Sequence, residues 1–390
     1  MTFSVMANTR SSLAGSDELE FGLRSLRRVC AGTDGCAGWQ VFDTQDGLRS
    51  ALALARLVTT EHILVILNPA LVATATLATH LQCVALQFPQ RVVVAADPRS
   101  ASGAWQIDYA SRAGLERYVA RRSVLPESAN AERLVPWIFM AHRHTLCRLL
   151  EAPGVTSWDD VSAAISNDAR VAQRAFVHSF ADYQSSDRRD MLDLVPPEAT
   201  RLMDVGGGEG WFLSAFQAAG RGDGVLVEPS ATSVDVAQAR GLKVANTRFE
   251  RVTTQAHGRF DCISFLDVLE HMESPLAALE HAKTLLNPGG SVLLSVPNVG
   301  HWSVVEDLLE GRFDYLPLGI LCCTHLRFFT ERSLREMLAD AGFTVKAWRN
   351  QPSPMPQRLK AGLDAARTAG MALDALSLES DSFHVLAEVA

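Results

Sequence analysis

Residues 201–229, RLMDVGGGEGWFLSAFQAAGRGDGVLVEP, leave little freedom in what this chain can fold into. A short apolar run, Leu202 to Val205, leads straight into Gly206, Gly207, Gly208 and Gly210. Residues 211–219 then carry apolar side chains at helical spacing, and Gly220 ends them. Residues 225–227 form a second apolar run, closed by Glu228. Strand, glycine turn, helix, strand and acid make one β-α-β unit, with a ligand-binding turn at the carboxyl end of its first strand. Glycines allow positive φ and a close approach of backbone to ligand. The N–H groups at the helix start then face that ligand. Asp204 can accept from an amine or an ordered water, and Glu228 can accept two ribose hydroxyls. An adenosine-containing ligand is implied. A dinucleotide is a poor fit, because the third glycine of its fingerprint, counted from Gly206, falls on the bulky Trp211.

The run from Asp204 to Gly210, with Glu228 after it, resembles the first two motifs of class I S-adenosylmethionine-dependent methyltransferases. Two later stretches agree. Residues 260–271, FDCISFLDVLEH, resemble that family's fourth-strand motif, and residues 287–298, NPGGSVLLSVPN, its following turn and fifth strand. The resemblance covers residues 176–390. It implies an α/β fold: a Rossmann-like seven-stranded methyltransferase sheet with one antiparallel strand. It also implies S-adenosylmethionine as cofactor. Asp204, Gly206, Gly207, Gly208, Gly210, Glu228 and Pro229 would bind it, with Leu266 and Asp267 at its adenosine side or the site mouth. The family's usual adenine-facing aspartate is missing, and Arg248 and Phe249 stand in that stretch. Phe249 can stack on adenine or sit in the core. A segment before the first strand often lids the cofactor in this family, so Tyr183, Arg188 and Arg189 could reach its methionine carboxylate or remain solvated helix charges.

The chain of 390 residues is long enough for two domains. Its net charge of −8 implies no general affinity for nucleic acid or an anionic membrane. Seven cysteines without metal-ligand spacing read as reduced thiols in the cytoplasm. Residues 1–19 are polar, lack the apolar core of a signal peptide, and read as a flexible N-terminus. The apolar stretch 51–86 is interrupted by charges and Pro69, so no membrane span is expected. Alternating strand and helix signals over residues 20–150 indicate a smaller N-terminal α/β domain, with helices at 115–122 and 135–150. Within it, TEHILVILNP at residues 60–69 is similar to part of a family 2 glycosyltransferase. The acids that would hold a divalent ion are absent from Asn68-Pro69-Ala70-Leu71, which implies a degenerate domain for docking or substrate presentation. An unrelated small α/β domain is the other reading. Residues 151–197 read as a helical bridge and lid, with a helix over 158–180, and residues 198–390 as the methyltransferase domain.

Methyl transfer to a hydroxyl needs its proton removed, which suits a histidine or a metal that lowers the hydroxyl pKa. Glu270-His271 recurs in the quinone-biosynthesis O-methyltransferases that this motif resembles, some with an implied metal role. Here the pair is read as a hydrogen-bonded fixture, and no metal is expected. Residues 298–330 resemble an insertion in methyltransferases of bacterial glycan and surface-polysaccharide genes. His301, Arg312, Tyr315, His325, Arg327 and Phe328 fall on its recurrent positions. His301, His325 and His271 are therefore the catalytic candidates, and Arg312, Tyr315 and Arg327 the candidates for holding the acceptor. The expected reaction is methylation of a hydroxyl on a sugar, glycan or related small metabolite. Its partner would be that acceptor, with a homodimer left open. A nicotinamide oxidoreductase on the same β-α-β unit and a non-catalytic scaffold for glycan assembly are the rival readings.

Overall fold

The computed structural model describes residues 1–10, 15–97, 109–121, 128–130, 137–166, 169–178 and 188–390. The chain divides into two compact units, Met1–Ala181 with Gly311–Thr324, and Asp182–Glu310 with His325–Ala390.

The first unit is built on β1 (Phe3–Asn8), β2 (Cys36–Phe42), β3 (His62–Ile66), β4 (Val72–Ala73), β5 (Val93–Ala96), β6 (Ser128–Asn130), β7 (Ile138–His142) and β8 (Arg170–His178). They form one eight-stranded sheet of order β2-β1-β3-β7-β5-β8-β4, with β6 beside β8. Strand β1 pairs parallel with β2 and β3, whereas β7 runs antiparallel to both β3 and β5. Both faces are covered, by separate apolar clusters around Leu64 and Ile66 and around Ile63 and Val65. Such two-sided burial explains why these strands read as continuous apolar runs without alternation.

Three expectations for this region are corrected. The flexible terminus over residues 1–19 is instead a fully buried strand, Phe3–Asn8, followed by the helix Ser16–Ala31. Polar Ser4 and Asn8 disguised it, and both are satisfied inside: Ser4 accepts from Thr60 Oγ1 at 3.0 Å, and Asn8 Nδ2 donates to Leu67 O at 2.9 Å. The helix over 135–150 starts only at Arg143, because Ile138–His142 is a buried antiparallel strand. The bridging helix over 158–180 is a helix at Trp158–Ser166 followed by β8, so most of the supposed bridge belongs to the first unit. Likewise Gly311–Thr324, within the supposed insertion 298–330, groups with the first unit.

The second unit carries β9 (Arg201–Val205), β10 (Asp223–Val227), β11 (Val244–Ala245), β12 (Phe260–Leu266), β13 (Leu286–Pro297), β14 (Phe343–Pro352) and β15 (Ser380–Val389). Their order is β11-β10-β9-β12-β13-β15-β14. The first five run parallel, and β15 is antiparallel to both β13 and β14. The strand order reverses between β9 and β12, the switch point at which open α/β sheets bind ligands outside the carboxyl ends of their strands. Asn287-Pro-Gly-Gly290, read as a turn, is absorbed into β13 as an irregularity where the register with β12 shifts between Phe260 and Cys262. The long connection before β15 holds the helices Gln357–Thr368 and Ala375–Leu378. All seven cysteines are free, and no described helix is long and apolar enough to cross a membrane.

Candidate active site

The glycine turn sits at the switch point. Gly206 N donates to Val227 O at 2.8 Å, tying the turn to the neighbouring strand. Gly208 has φ +55°, a conformation that a side chain rarely takes, and a Cβ there would meet only open space. At Gly207 a Cβ would lie 2.2 Å from Asp204 Oδ2, so the backbone packs directly on the carboxylate. The helix Trp211–Ala218 begins immediately afterwards, behind Gly210.

Asp204 is 1% exposed. Its Oδ1 accepts the Ser264 hydroxyl at 2.7 Å, while its Oδ2 has no hydrogen-bond partner. Burial pushes its pKa up to about 7, and the Glu228 charge adds to the shift. The Ser264 hydroxyl, the Arg188 cation and the nearby Leu213 N–H pull the other way. The Leu213 amide therefore eases the charge without completing a hydrogen bond to Oδ2. A buried carboxylate oxygen left unmatched is costly and calls for an explanation. An ammonium group supplies one.

Glu228 is buried at the tip of β10. It accepts Gly208 N at 3.0 Å and Ser230 N at 2.8 Å, one on each carboxylate oxygen. Each oxygen keeps a further lone pair for a ribose hydroxyl. Asn246 steadies this tip by donating to Glu228 O at 2.9 Å, while Pro229 beside it is exposed.

At the end of β12 Asp267 has φ +56°, and Arg188 across from it has φ +52°; no other described residue except glycine has positive φ. Their side chains form an ion pair. Ser295 on β13 donates to Asp267 at 2.6 Å and accepts from Arg188 at 2.9 Å. Leu266, next to Asp267, is half-buried against an apolar cluster with Leu202 and Leu226. A third group of polar side chains gathers Glu270, His271 and His325, whose potential metal-binding atoms all lie within 4.8 Å of one another. The two imidazoles meet edge to face, with centroids 4.7 Å apart.

Several candidates move away from chemistry. His301 is fully buried and caps the helix Trp302–Leu309. Its Nδ1 faces Ser303 Oγ and its Nε2 faces Ser353 Oγ, each at 2.8 Å. Burial depresses its pKa to about 3, so it is a fixture of the fold and a poor base. Phe249 packs edge to face on Phe265 and His281 in the core and is not an adenine platform, while Arg248 is exposed. Arg312 pairs with Asp314 and Glu116 in the first unit, where Tyr315 also lies, edge-on to Phe313. Arg327 donates to the carbonyls of Leu326 and Glu273. Tyr183 lies outside the described residues. Sequence reasoning missed Ser264, Ser295 and His384. Each is a polar residue with an apolar residue on either side in its strand, which was the available signal. A surface depression bordered by Arg201, Lys243 and His257 lies away from the glycine turn and gathers none of these groups.

A family model described as a methyltransferase domain matches residues 171–347. A ubiquinone biosynthesis O-methyltransferase of Cereibacter sphaeroides is 31% identical over 163 residues, covering 40% of this chain and 64% of that protein. The enzyme of the same name from Alkalilimnicola ehrlichii is 27% identical over 175 residues, 42% of this chain and 68% of that one. The chain thus spans less than two thirds of the length of the first of these relatives. Among solved structures, a SAM-dependent methyltransferase from Archaeoglobus fulgidus aligns with TM-score 0.39 and 13% identity over 53% of this chain and 96% of its own. One from Mesorhizobium loti aligns with TM-score 0.36 and 15% identity, over 53% and 99%.

Proposed function

We propose that the second unit, a class I S-adenosylmethionine-dependent methyltransferase domain, moves a methyl group to an oxygen of a small acceptor. The observation that carries this is Asp204, a buried carboxylate with one oxygen unmatched, under a glycine turn that Glu228 pins in place. Asp204 takes the ammonium of the cofactor's amino-acid tail, and Glu228 takes its ribose hydroxyls. When bound, the sulfonium supplies an already activated methyl group, so the protein mainly aligns the acceptor and excludes water. Arg188 is the cation within electrostatic reach of Asp204 and meets the tail's carboxylate. With His301 locked away, acceptor proton removal falls to the cluster of Glu270, His271 and His325. That donor set suits a neutral imidazole base, and it would equally suit a divalent cation.

Support for an oxygen acceptor comes from the two relatives, both named as O-methyltransferases. The finer reading, a hydroxyl of a sugar or glycan, is supported by the resemblance of residues 298–330 and of the N-terminal region to glycan-associated enzymes. Free thiols throughout fit work in the reducing cytoplasm. Trp211, exposed beneath the Arg240 guanidinium at the helix start, keeps a nicotinamide dinucleotide the poorer fit.

Calorimetric titration with S-adenosylhomocysteine tests the reading. The parent should bind, and Glu228→Ala should weaken binding by about 1.5–3 kcal/mol, the scale of hydrogen bonds to a charged group. A folded parent that binds nothing would end the methyltransferase proposal. A panel of sugar, glycan and phenolic hydroxyls, read by methyl incorporation, then decides the acceptor. Loss of activity on adding a chelator, regained with a divalent cation, would assign the histidine cluster to a metal.

A further inference from the structure

The last strand places a histidine in the mouth of the site. On β15, His384 stands opposite Ser295 of β13, which is itself level with Leu266 of β12. His384 is therefore level with Leu266, the residue before Asp267, two strands across the sheet. Its Nε2 lies 3.3 Å from the Arg188 guanidinium, the group that also holds Asp267 and Ser295. Its Nδ1 lies 2.9 Å from the Gln351 amide of β14 and 3.5 Å from Asp190. The ring is 4% exposed, and burial, helped by the Arg188 charge, holds its pKa down to about 4. It is therefore neutral near pH 7, with one nitrogen accepting and the other carrying hydrogen. Arg188 can only donate, so Nε2 accepts. Nδ1 then carries the hydrogen and faces the Asp190 carboxylate; the Gln351 amide, which stands with Nε2 toward the ring, accepts from it through Oε1 once the amide is assigned the other way round.

A second observation gives this chain of contacts a purpose. Arg188 and Asp267 are the described non-glycine residues with positive φ, and they face each other across one ion pair. Such conformations persist where surrounding contacts over-determine them, and they collect at ligand clamps. The guanidinium is also close enough to Asp204 to ease its charge. In an amino-acid tail the ammonium and carboxylate sit on one carbon. A tail whose ammonium meets the unmatched Asp204 oxygen must therefore present its carboxylate close by. The cation in reach is Arg188.

We propose that His384 is a positioning residue: by accepting from Arg188, and backed by Gln351, it aims the guanidinium at the carboxylate of the cofactor's amino-acid tail. This rests on the methyltransferase reading. It adds that the antiparallel end of the sheet, β14 and β15, takes part in holding the cofactor. Asp267 holds Nη1 of the guanidinium, while Ser295 and the ring together hold Nη2.

Two ligands separate this role from a general loss of structure. S-adenosylhomocysteine carries the amino-acid tail, whereas 5′-methylthioadenosine has the same adenosine and thioether sulfur without it. Binding of both is measured by calorimetry on the full chain, on His384→Leu, His384→Gln, Arg188→Leu and the double variant. His384→Leu should weaken S-adenosylhomocysteine by about tenfold. It should leave 5′-methylthioadenosine within about twofold. His384→Gln, which restores an acceptor oxygen, should recover most of the loss. The double variant should bind no worse than Arg188→Leu alone, since the ring acts through the guanidinium. An unchanged S-adenosylhomocysteine affinity in a folded His384→Leu overturns the proposal, and so does an equal loss for both ligands. A parent that binds neither ligand overturns the cofactor reading itself, and this inference with it.

Discussion

Asp204 carries a stability cost that the proposed ammonium ligand would relieve. Its carboxyl titrates near 3.8 in an unfolded chain and near 7 in the fold, because burial opposes the charged form. The folded state therefore keeps a proton that the unfolded state has lost between those values, and stability falls as pH rises through that window. Asp204→Asn should be the more stable protein at pH 8, by roughly 2–4 kcal/mol in denaturant melts, while binding S-adenosylhomocysteine far more weakly. In the parent, an ammonium ligand selects the ionised carboxylate, so binding should release a proton below about pH 7 and tighten by up to about tenfold per unit as pH rises toward it. Calorimetry in buffers of different ionisation enthalpy reads that proton directly, and Asp204→Asn should abolish it. The placement of Asp204 and Glu228 beside the glycine turn was legible in the sequence because it is local: a carboxylate near a strand tip beside glycines needs little from elsewhere in the chain. Phe249 and His301 were not legible, because their partners Phe265, His281 and Ser353 are distant in sequence and only the fold brings them in.

At the scale of elements, the helix Trp302–Leu309 depends on a cap that the sequence presents as a catalyst. His301 Nδ1 accepts Ser303 N at 3.3 Å, and its other nitrogen engages Ser353 at the entrance to the connection between β14 and β15. His301→Ala should cost about 1–3 kcal/mol, through the lost cap and a buried hydroxyl left without its partner. The titration has a fixed sign. A ring whose pKa falls from 6.5 to about 3 on folding lends stability that is whole above about pH 6.5 and drains as pH falls toward 3. His301→Asn keeps a capping oxygen and should flatten that acid limb, as urea melts at pH 7.5 and 5 would show. The strand-helix rhythm of β9 to β13 was legible because buried parallel strands are mostly apolar and glycines punctuate them. The stretch 158–180 misled for a related reason: β8 carries Arg170, Gln173 and Arg174 among its apolar residues, which imitates the polar face of a helix.

Across the whole molecule, the sequence order of residues and the units they fold into part company at Gly311. Leu316 and Leu318 are buried in a cluster with Ala70, Val72, Tyr109, Leu115 and Phe176, all of the first unit, although they follow β13 of the second. Continuity of chain made residues 298–330 read as one insertion of the methyltransferase domain, and no periodicity could reveal that its middle packs elsewhere. A chain of residues 188–390 alone would leave these leucines without their partners, forfeiting about 1.5–3 kcal/mol for each buried side chain and adding an exposed apolar patch. The second unit has apolar clusters of its own on both faces of its sheet, so the failure should be local. Residues 188–390 should bind a hydrophobic dye and self-associate in sedimentation. The same chain with residues 311–324 replaced by a short glycine-serine linker should stay monodisperse and still bind S-adenosylhomocysteine. Equal behaviour of the two chains would mean that the segment contributes nothing to the first unit's core. A linker chain that loses S-adenosylhomocysteine would instead place a determinant of cofactor binding within residues 1–187 or 311–324, outside the sheet that carries Asp204 and Glu228.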